Sequence, residues 1–282
     1  MSQGDDRILL PAKLLAAAVV PFLMLAFLIL YFFPGSTGER FAWAIQPDMT
    51  AMFMGAGYIG GAWLFINTIF GQRWHKVAPG FPAVTTFASA MLLATVLHWQ
   101  VFDVTRLAAL LWIGLYVAAP LLVPLVWQNN RSVDSGAAEP GGPKVPGIAR
   151  WSLRLLGIML SLFAIGGFIL PQWLIELWPW QLSPLTARIM SGWFALLGVG
   201  GLVISGESRW SGWKVGLQSI GLWQLLVLVA AFIRVDDYKH AAINWYTISV
   251  ALVLIGMAGL YIYMETNQER KLKPEISRQE EG

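Results

Sequence analysis

Seven residues in this chain have the types and spacing from which chemistry could be built. Asp103 and Arg106, and again Asp236 and Lys239, place opposite charges three positions apart. On a helix such residues share a face, and an aspartate near a helix start complements the positive end of the helix dipole. Asp237 adds a third carboxylate. These pairs read either as capped, anchored helix ends or as two related charged sites flanking an external mouth. Arg188 lies one turn inside an apolar stretch. A charge there is costly, so it faces the protein interior or snorkels to the surface; facing inward, its available partners are Asp236, Asp237 and Glu176. His98 sits near the end of another apolar stretch. A lone histidine is a conceivable haem ligand, but His75 and His240 fall in loops, and no His–carboxylate cluster has metal-ligand spacing. The expectation is no metal and no cofactor. The absence of cysteine rules out disulfides, a thiol nucleophile and thiolate metal sites. There is no phosphate-binding glycine loop, nucleophile elbow, HExxH motif or carboxylate pair inside an apolar stretch.

The elements that position these residues follow from composition. Of 282 residues, 57% are hydrophobic and only 12% charged, with 15 Trp and 15 Phe; soluble domains carry about 25% charged residues. Such a chain cannot cover itself with polar groups in water, so a bilayer is its expected solvent. The composition also excludes a disordered chain, a coiled coil and a nucleic-acid binder: the net charge is only +3 despite a pI near 9.2. Stretches without Asp, Glu, Lys or Arg cover 14–38, 49–72, 77–102, 107–130, 155–175, 189–206, 215–233 and 240–264. Each holds the roughly 20 apolar residues of a span, which predicts eight transmembrane helices. The sixth is predicted to start at Ser183-Pro184, a favoured cap and first residue. The apolar run from Leu14 to Phe33 is too long for a signal peptide and reads as a retained span. With the N-terminus inside, 14 of the 19 Lys and Arg fall on the inner side, which predicts both termini cytoplasmic.

The chain also resembles itself. Lys13, Pro34, Trp43, Ile45, Pro47, Gly55 and Gly61 align with Arg150, Pro171, Trp180, Leu182, Pro184, Gly192 and Gly198 at one offset of 137. Arg73-Trp74 aligns with Arg209-Trp210, and D-x-x-[RK]-x-A-A-x-x-W recurs from Asp103 and from Asp236. The expected architecture is therefore all-α and polytopic, with two parallel four-helix repeats over 1–128 and 150–265. A Gly/Pro/Ser-rich linker over 129–149 and a charged cytoplasmic tail over 266–282 complete it. An even number of spans per repeat makes the repeats parallel, as in some transporters. Trp43, Trp178 and Trp180 are expected either in an aromatic belt at the membrane–water interface or as a lid or aromatic wall over an outward-facing pocket. Asn67, Thr85, Thr86, Ser89, Thr95, Gln218, Ser219 and Gln224 are expected either along a shallow polar path or in scattered interhelical hydrogen bonds.

At F-A-W-A-I-Q-P-D-M-T-A (41–51) and W-P-W-Q-L-S-P-L-T-A-R (178–188) the chain resembles uncharacterised bacterial multi-pass membrane proteins with duplicated four-helix units. That resemblance implies no activity and carries no functional residue. Three functional classes follow from the residues. The first is a non-enzymatic structural or accessory subunit, favoured by the lack of catalytic motifs. The second is a carrier for a small or amphipathic molecule along the repeat interface, which requires a cavity between the units. The third is an outer-surface lipid or isoprenoid enzyme using Asp103, Asp236 or Asp237. Expected partners are membrane lipids, with protein partners or a homo-oligomer and no nucleic acid.

Overall fold

The computed structural model describes residues 5–134, 136, 142–240 and 244–280. Among them are isolated bridges but no strand, and eight helices long and apolar enough to cross a membrane. The chain is an all-α, multi-pass membrane protein. The long helices are α1 (Leu10–Phe27, carried on by a π-helical turn over Leu28–Phe32), α2 (Asp48–Phe70), α3 (Gly80–Leu97) and α4 (Leu107–Arg131). They are followed by α5 (Gly147–Ile169), α6 (Pro184–Gly206), α7 (Ser211–Ile233) and α8 (Trp245–Glu280). A short helix, Thr37–Arg40, precedes α2, and another, Pro171–Leu177, precedes α6. Helices are the required solution here, because hydrocarbon offers no partner to an unpaired backbone N–H or C=O. The start of α6 shows how a sequence signal sets a boundary. The Ser183 amide donates to Thr186 Oγ1 at 2.7 Å, the Thr186 amide donates to Ser183 Oγ at 3.2 Å, and Pro184 takes the first helical position.

Helix α1 packs on α2 and α5 on α6, while α3 lies against α4 and α7 against α8. The other extensive contacts cross between the halves of the chain: α2 meets α7, and α3 meets α6. The second and third helices of each half are thus clamped by those of the other. Several local contacts recur in pairs. Arg7 bridges Arg73, and Lys144 bridges Arg209. The Trp74 amide donates to the Asp6 carbonyl at 2.7 Å, and the Trp210 amide to the Pro143 carbonyl at 3.2 Å. At the other end of the helices, Arg106 reaches the Glu39 carbonyl at 2.6 Å and Lys239 the Ile175 carbonyl at 2.7 Å.

Glycine sets the closest approaches. Ser219 Oγ donates to the Gly60 carbonyl at 2.5 Å, and a Cβ on Gly60 would stand 2.8 Å from the Ser219 carbonyl oxygen. A Cβ on Gly157 would stand 2.8 Å from the Gly198 carbonyl oxygen. Backbone cannot yield as a side chain can, so α2–α7 and α5–α6 contact depends on these positions.

The aromatic loops do not form the expected surface belt. Trp43, Trp178 and Trp180 are buried inside the protein instead of forming a belt on its surface. Trp43 packs on Phe41, Phe102 and Trp112; Trp180 packs on Trp178, Tyr238 and Tyr246. The loops fold back over the helix ends, where ring-on-ring packing outweighs exposure of the indoles. Trp180 Nε1 still finds an acceptor, Thr50 Oγ1 at 2.8 Å. Helix also claims parts of the expected linker and tail: α4 runs to Arg131, α5 begins at Gly147 and α8 continues to Glu280. Of the linker, residues 135 and 137–141 lie outside the described residues, as do Ala241 and Ala242 of the second D-x-x-[RK] block.

Overpacking at a tight contact costs about 1–3 kcal/mol. Gly60→Ala is therefore expected to lower the thermal midpoint of the purified protein clearly. Gly256→Ala, whose added methyl meets nothing within 4 Å, is expected to leave it unchanged or raise it. Equal midpoints for the two variants would refute the backbone-contact account.

Candidate functional site

The helices do not fill the space they enclose. A cavity of about 590 Å³ lies between the halves, and all eight long helices contribute to its wall. Its size falls within the roughly 300–1,000 Å³ of small-molecule sites. Among the described residues, no Asp, Glu, Lys, Arg or His lines it. Large rings hold the walls apart. Trp193 packs on Trp223 with centroids 4.9 Å apart, on Phe87 at 4.2 Å and on Tyr58 at 5.3 Å. The small residues that permit close approach elsewhere sit beside these rings, so the bundle is tight at its glycine contacts and hollow between them. A smaller cavity of about 320 Å³ lies between α1 and α4.

Several polar groups of the residues lining the main cavity are paired. The Tyr58 and Tyr116 hydroxyls bond each other at 3.0 Å, Ser219 bonds Gly60, and Ser249 donates to the Trp245 carbonyl at 2.7 Å. Three lining residues each carry a buried polar atom without a partner in the protein: Trp193 Nε1, Trp223 Nε1 and Gln224 Oε1. An unsatisfied buried polar group costs about 1–3 kcal/mol, so three among the lining residues need an explanation. The cavity margin reaches lipid-facing positions. Met159 on α5 is 67% exposed and Val253 on α8 is 37% exposed. Helices α1 and α4 make a few direct contacts, and α5 and α8, their counterparts in chain order, make fewer.

The seven residues singled out by sequence do not line this cavity. Arg188 is half-buried, and its partners are not carboxylates: Nη1 meets His98 Nε2 at 2.8 Å and Nε donates to the Phe168 carbonyl at 3.2 Å. This joins two of the candidates, from α6 and the end of α3. Burial, then the Arg188 charge, lowers the His98 pKa below its ordinary 6.5. Asp103 lies before α4 in a turn, where the Thr105 hydroxyl and amide bind its carboxylate at 2.6 and 3.0 Å and hold its pKa low. Arg106 and Lys239 anchor to the loop carbonyls given above. Asp237 accepts the Met49 amide at 2.7 Å at the start of α2, beside an Asp48–Arg234 ion pair at 3.2 Å. Asp236 is exposed in the 3₁₀ turn Val235–Asp237. The polar residues of α3 turn onto their own helix, as Thr85, Thr86, Ser89 and Thr95 each donate to the carbonyl four residues back.

Two polar clusters at the face that carries both chain ends were not singled out from sequence. Asp6 accepts the His75 amide at 3.0 Å and meets His75 Nδ1, while His75 Nε2 lies 2.8 Å from Ser211 Oγ. The order Asp–His–Ser is that of a hydrolase triad, but none of the three lines the cavity. The cluster ties the N-terminal segment to the loops before α3 and α7. The Arg73-Trp74/Arg209-Trp210 alignment held the clue, since the next aligned pair is His75 and Ser211. Beside it, Arg209 binds Asp134 through two nitrogens at 2.9 and 2.8 Å and Glu207 at 2.6 Å. The Arg209 hydrogen bonds hold Asp134 below the usual carboxylate range; for Glu207 they outweigh burial, which alone would raise it.

Among the described residues, no group of three His, Cys, Asp or Glu is placed to hold a metal. No protein-family model, curated protein or solved structure matches the chain.

Two pH responses follow. His98 has a lower pKa in the folded protein, so the unfolded chain binds the proton more readily. Its contribution is complete above pH 6.5 and is lost as the pH falls below that value. Thermal midpoints measured between about pH 7 and 5 are expected to fall in the native protein and to fall less in His98→Gln. Asp134 and Glu207 also have lowered pKa values, so their contribution holds above the unfolded values of 3.8 and 4.5 and is lost on further acidification. Arg209→Gln is expected to lower the midpoint at neutral pH and to shrink this acid loss. An unchanged acid profile would show that the cluster does not contribute to stability.

Proposed function

We propose that the protein binds, and carries within the membrane, a small apolar or amphipathic molecule held in the cavity between its two halves. The observation that carries this reading is the roughly 590 Å³ cavity walled by all eight long helices. A void of that size forfeits dispersion contacts along its whole lining, and in a bilayer it is filled by whatever apolar molecule can reach it. The gap between α5 and α8 supplies a lateral route from the lipid. We further infer that the chain arose by duplication of a four-helix unit, in support of which the paired loop contacts fall at offsets of 137, 136 and 133, close to the sequence repeat. The excess of Lys and Arg supports cytoplasmic termini, and the resemblance to bacterial multi-pass proteins supports a bacterial inner membrane. Membrane lipids are then both solvent and source of ligand. Asp103, Asp236 and Asp237 fit loop and helix-end anchoring better than catalysis, because Asp103 and Asp237 are bonded to neighbouring backbone amides and none of the three adjoins the cavity.

The test is native mass spectrometry of the full chain released gently from its own membrane. A small molecule of defined mass, bound stoichiometrically and lost in Val253→Trp, is the expected result. A stoichiometric protein partner with an empty cavity would instead favour an accessory subunit and overturn the carrier reading.

A further inference from the structure

Arg188 carries a charge that the protein does not neutralise. It lies one turn inside α6, and its half-buried side chain is held by groups from two other helices. Nε donates to the Phe168 carbonyl of α5 at 3.2 Å, and Nη1 lies 2.8 Å from Nε2 of His98, the residue that caps the end of α3. A guanidinium can only donate, so His98 Nε2 accepts and the imidazole is neutral. Neither partner brings negative charge. The carboxylates of this face are engaged elsewhere. Asp237 takes the Met49 amide, Asp103 takes Thr105, Asp48 pairs with Arg234, and Glu176 takes the Gln172 side chain. Asp236 is exposed in its own turn. Among the described residues, none forms an ion pair with Arg188.

Arg188 Nη2 makes no hydrogen bond among the described residues, yet it is not one of the buried atoms without a partner. It is therefore open to the surroundings, and depth sets what those are. Trp99, next to His98, is 50% exposed, and Trp173, on the short helix after α5, is 43% exposed. Exposed indoles sit at the level of the lipid headgroups, where the abundant anion is phosphate. The planar guanidinium fork matches phosphate oxygens, and a partly buried cation without a counter-charge gains most from meeting one. A zwitterionic headgroup would also bring an ammonium to the site, with no carboxylate beside Arg188 to receive it. A monoanionic headgroup brings none.

We propose that Arg188 binds the phosphate of an anionic glycerophospholipid on the face opposite the chain termini, with His98 and the Phe168 carbonyl positioning the guanidinium. Neither Arg188, His98 nor Phe168 lines the cavity, so this lipid site goes beyond the carrier reading and stands whether or not the cavity is filled.

The experiment uses the full chain in detergent micelles and a phosphatidylglycerol bearing a diazirine near its glycerol backbone, with cross-linked peptides identified by mass spectrometry. Competitors are phosphatidylglycerol, phosphatidylcholine and inorganic phosphate. The expected result is labelling of residues 97–102 and 168–177, protected by phosphatidylglycerol at about tenfold lower concentration than by phosphatidylcholine. Arg188→Gln is expected to lose this labelling and to keep any labelling at the face carrying the termini. His98→Gln, whose amide oxygen can accept in place of Nε2, is expected to retain it, and His98→Leu to reduce it severalfold. Equal protection by the two lipids would overturn recognition of an anionic headgroup. Protection by inorganic phosphate at the same concentration as phosphatidylglycerol would identify a site for the free anion and overturn the lipid assignment. Absence of label from both segments in the native protein would remove the site altogether. The native competitor series decides these points even if a variant fails to fold.

Discussion

Close backbone approach is the constraint on which the rest of this structure depends. Inside a bilayer no hydrophobic force draws one apolar helix to another, because lipid is as apolar as leucine. Association must come from contact distance and from the occasional hydrogen bond. The Gly60–Ser219 contact supplies both: the missing Cβ lets α2 and α7 meet, and the Ser219 hydroxyl donates across the gap at 2.5 Å. Gly157 and Gly198 do the same for α5 and α6 without a side-chain bond. Because α2–α7 and α3–α6 are the contacts that cross between halves, these short side chains decide which helices are neighbours.

The cavity is the consequence of mixing such contacts with large rings. Where glycine meets backbone the helices touch. Where Trp193, Trp223, Phe87 and Tyr58 stack, the walls are held apart. Interiors of proteins are otherwise close-packed, so a void of about 590 Å³ bounded by rigid rings is a shape the sequence maintains.

Charge is pushed to the ends of the bundle, and the two ends use it differently. At the face carrying the chain termini, clusters around the buried His75 and the half-buried Arg209 join loops from both halves. Lys214, Trp210 and Glu265 extend that tie from α7 to α8. At the opposite face, cations reach backbone carbonyls, as Arg106, Lys239 and Arg188 do, and carboxylates reach amides, as Asp103 and Asp237 do. Those bonds satisfy backbone groups at helix ends near the hydrocarbon boundary, and they give charged residues at matching places in the two halves an anchoring role.

Sequence alone determined the solvent, the helix count and one helix boundary, the Ser183-Pro184 start of α6. Those depend on local quantities: the length of an apolar run, a Ser-Pro start, the scarcity of charge. It also displayed the internal alignment, at offsets near 137, from which the paired loop contacts could be anticipated. Tertiary structure decided what each side chain meets. Nothing near Arg188 in sequence names His98 as its partner, because 90 residues and two helix crossings separate them. Trp43 and Trp180 carry the composition of an interfacial belt, yet the loops turn them inward. Gln224 reads as one more polar residue in an apolar helix, and only the packing of the helices places it beside a cavity. Periodicity and hydropathy report how a helix sits in its solvent; which faces meet, and what space they fail to fill, is set by steric fit between residues far apart in the chain.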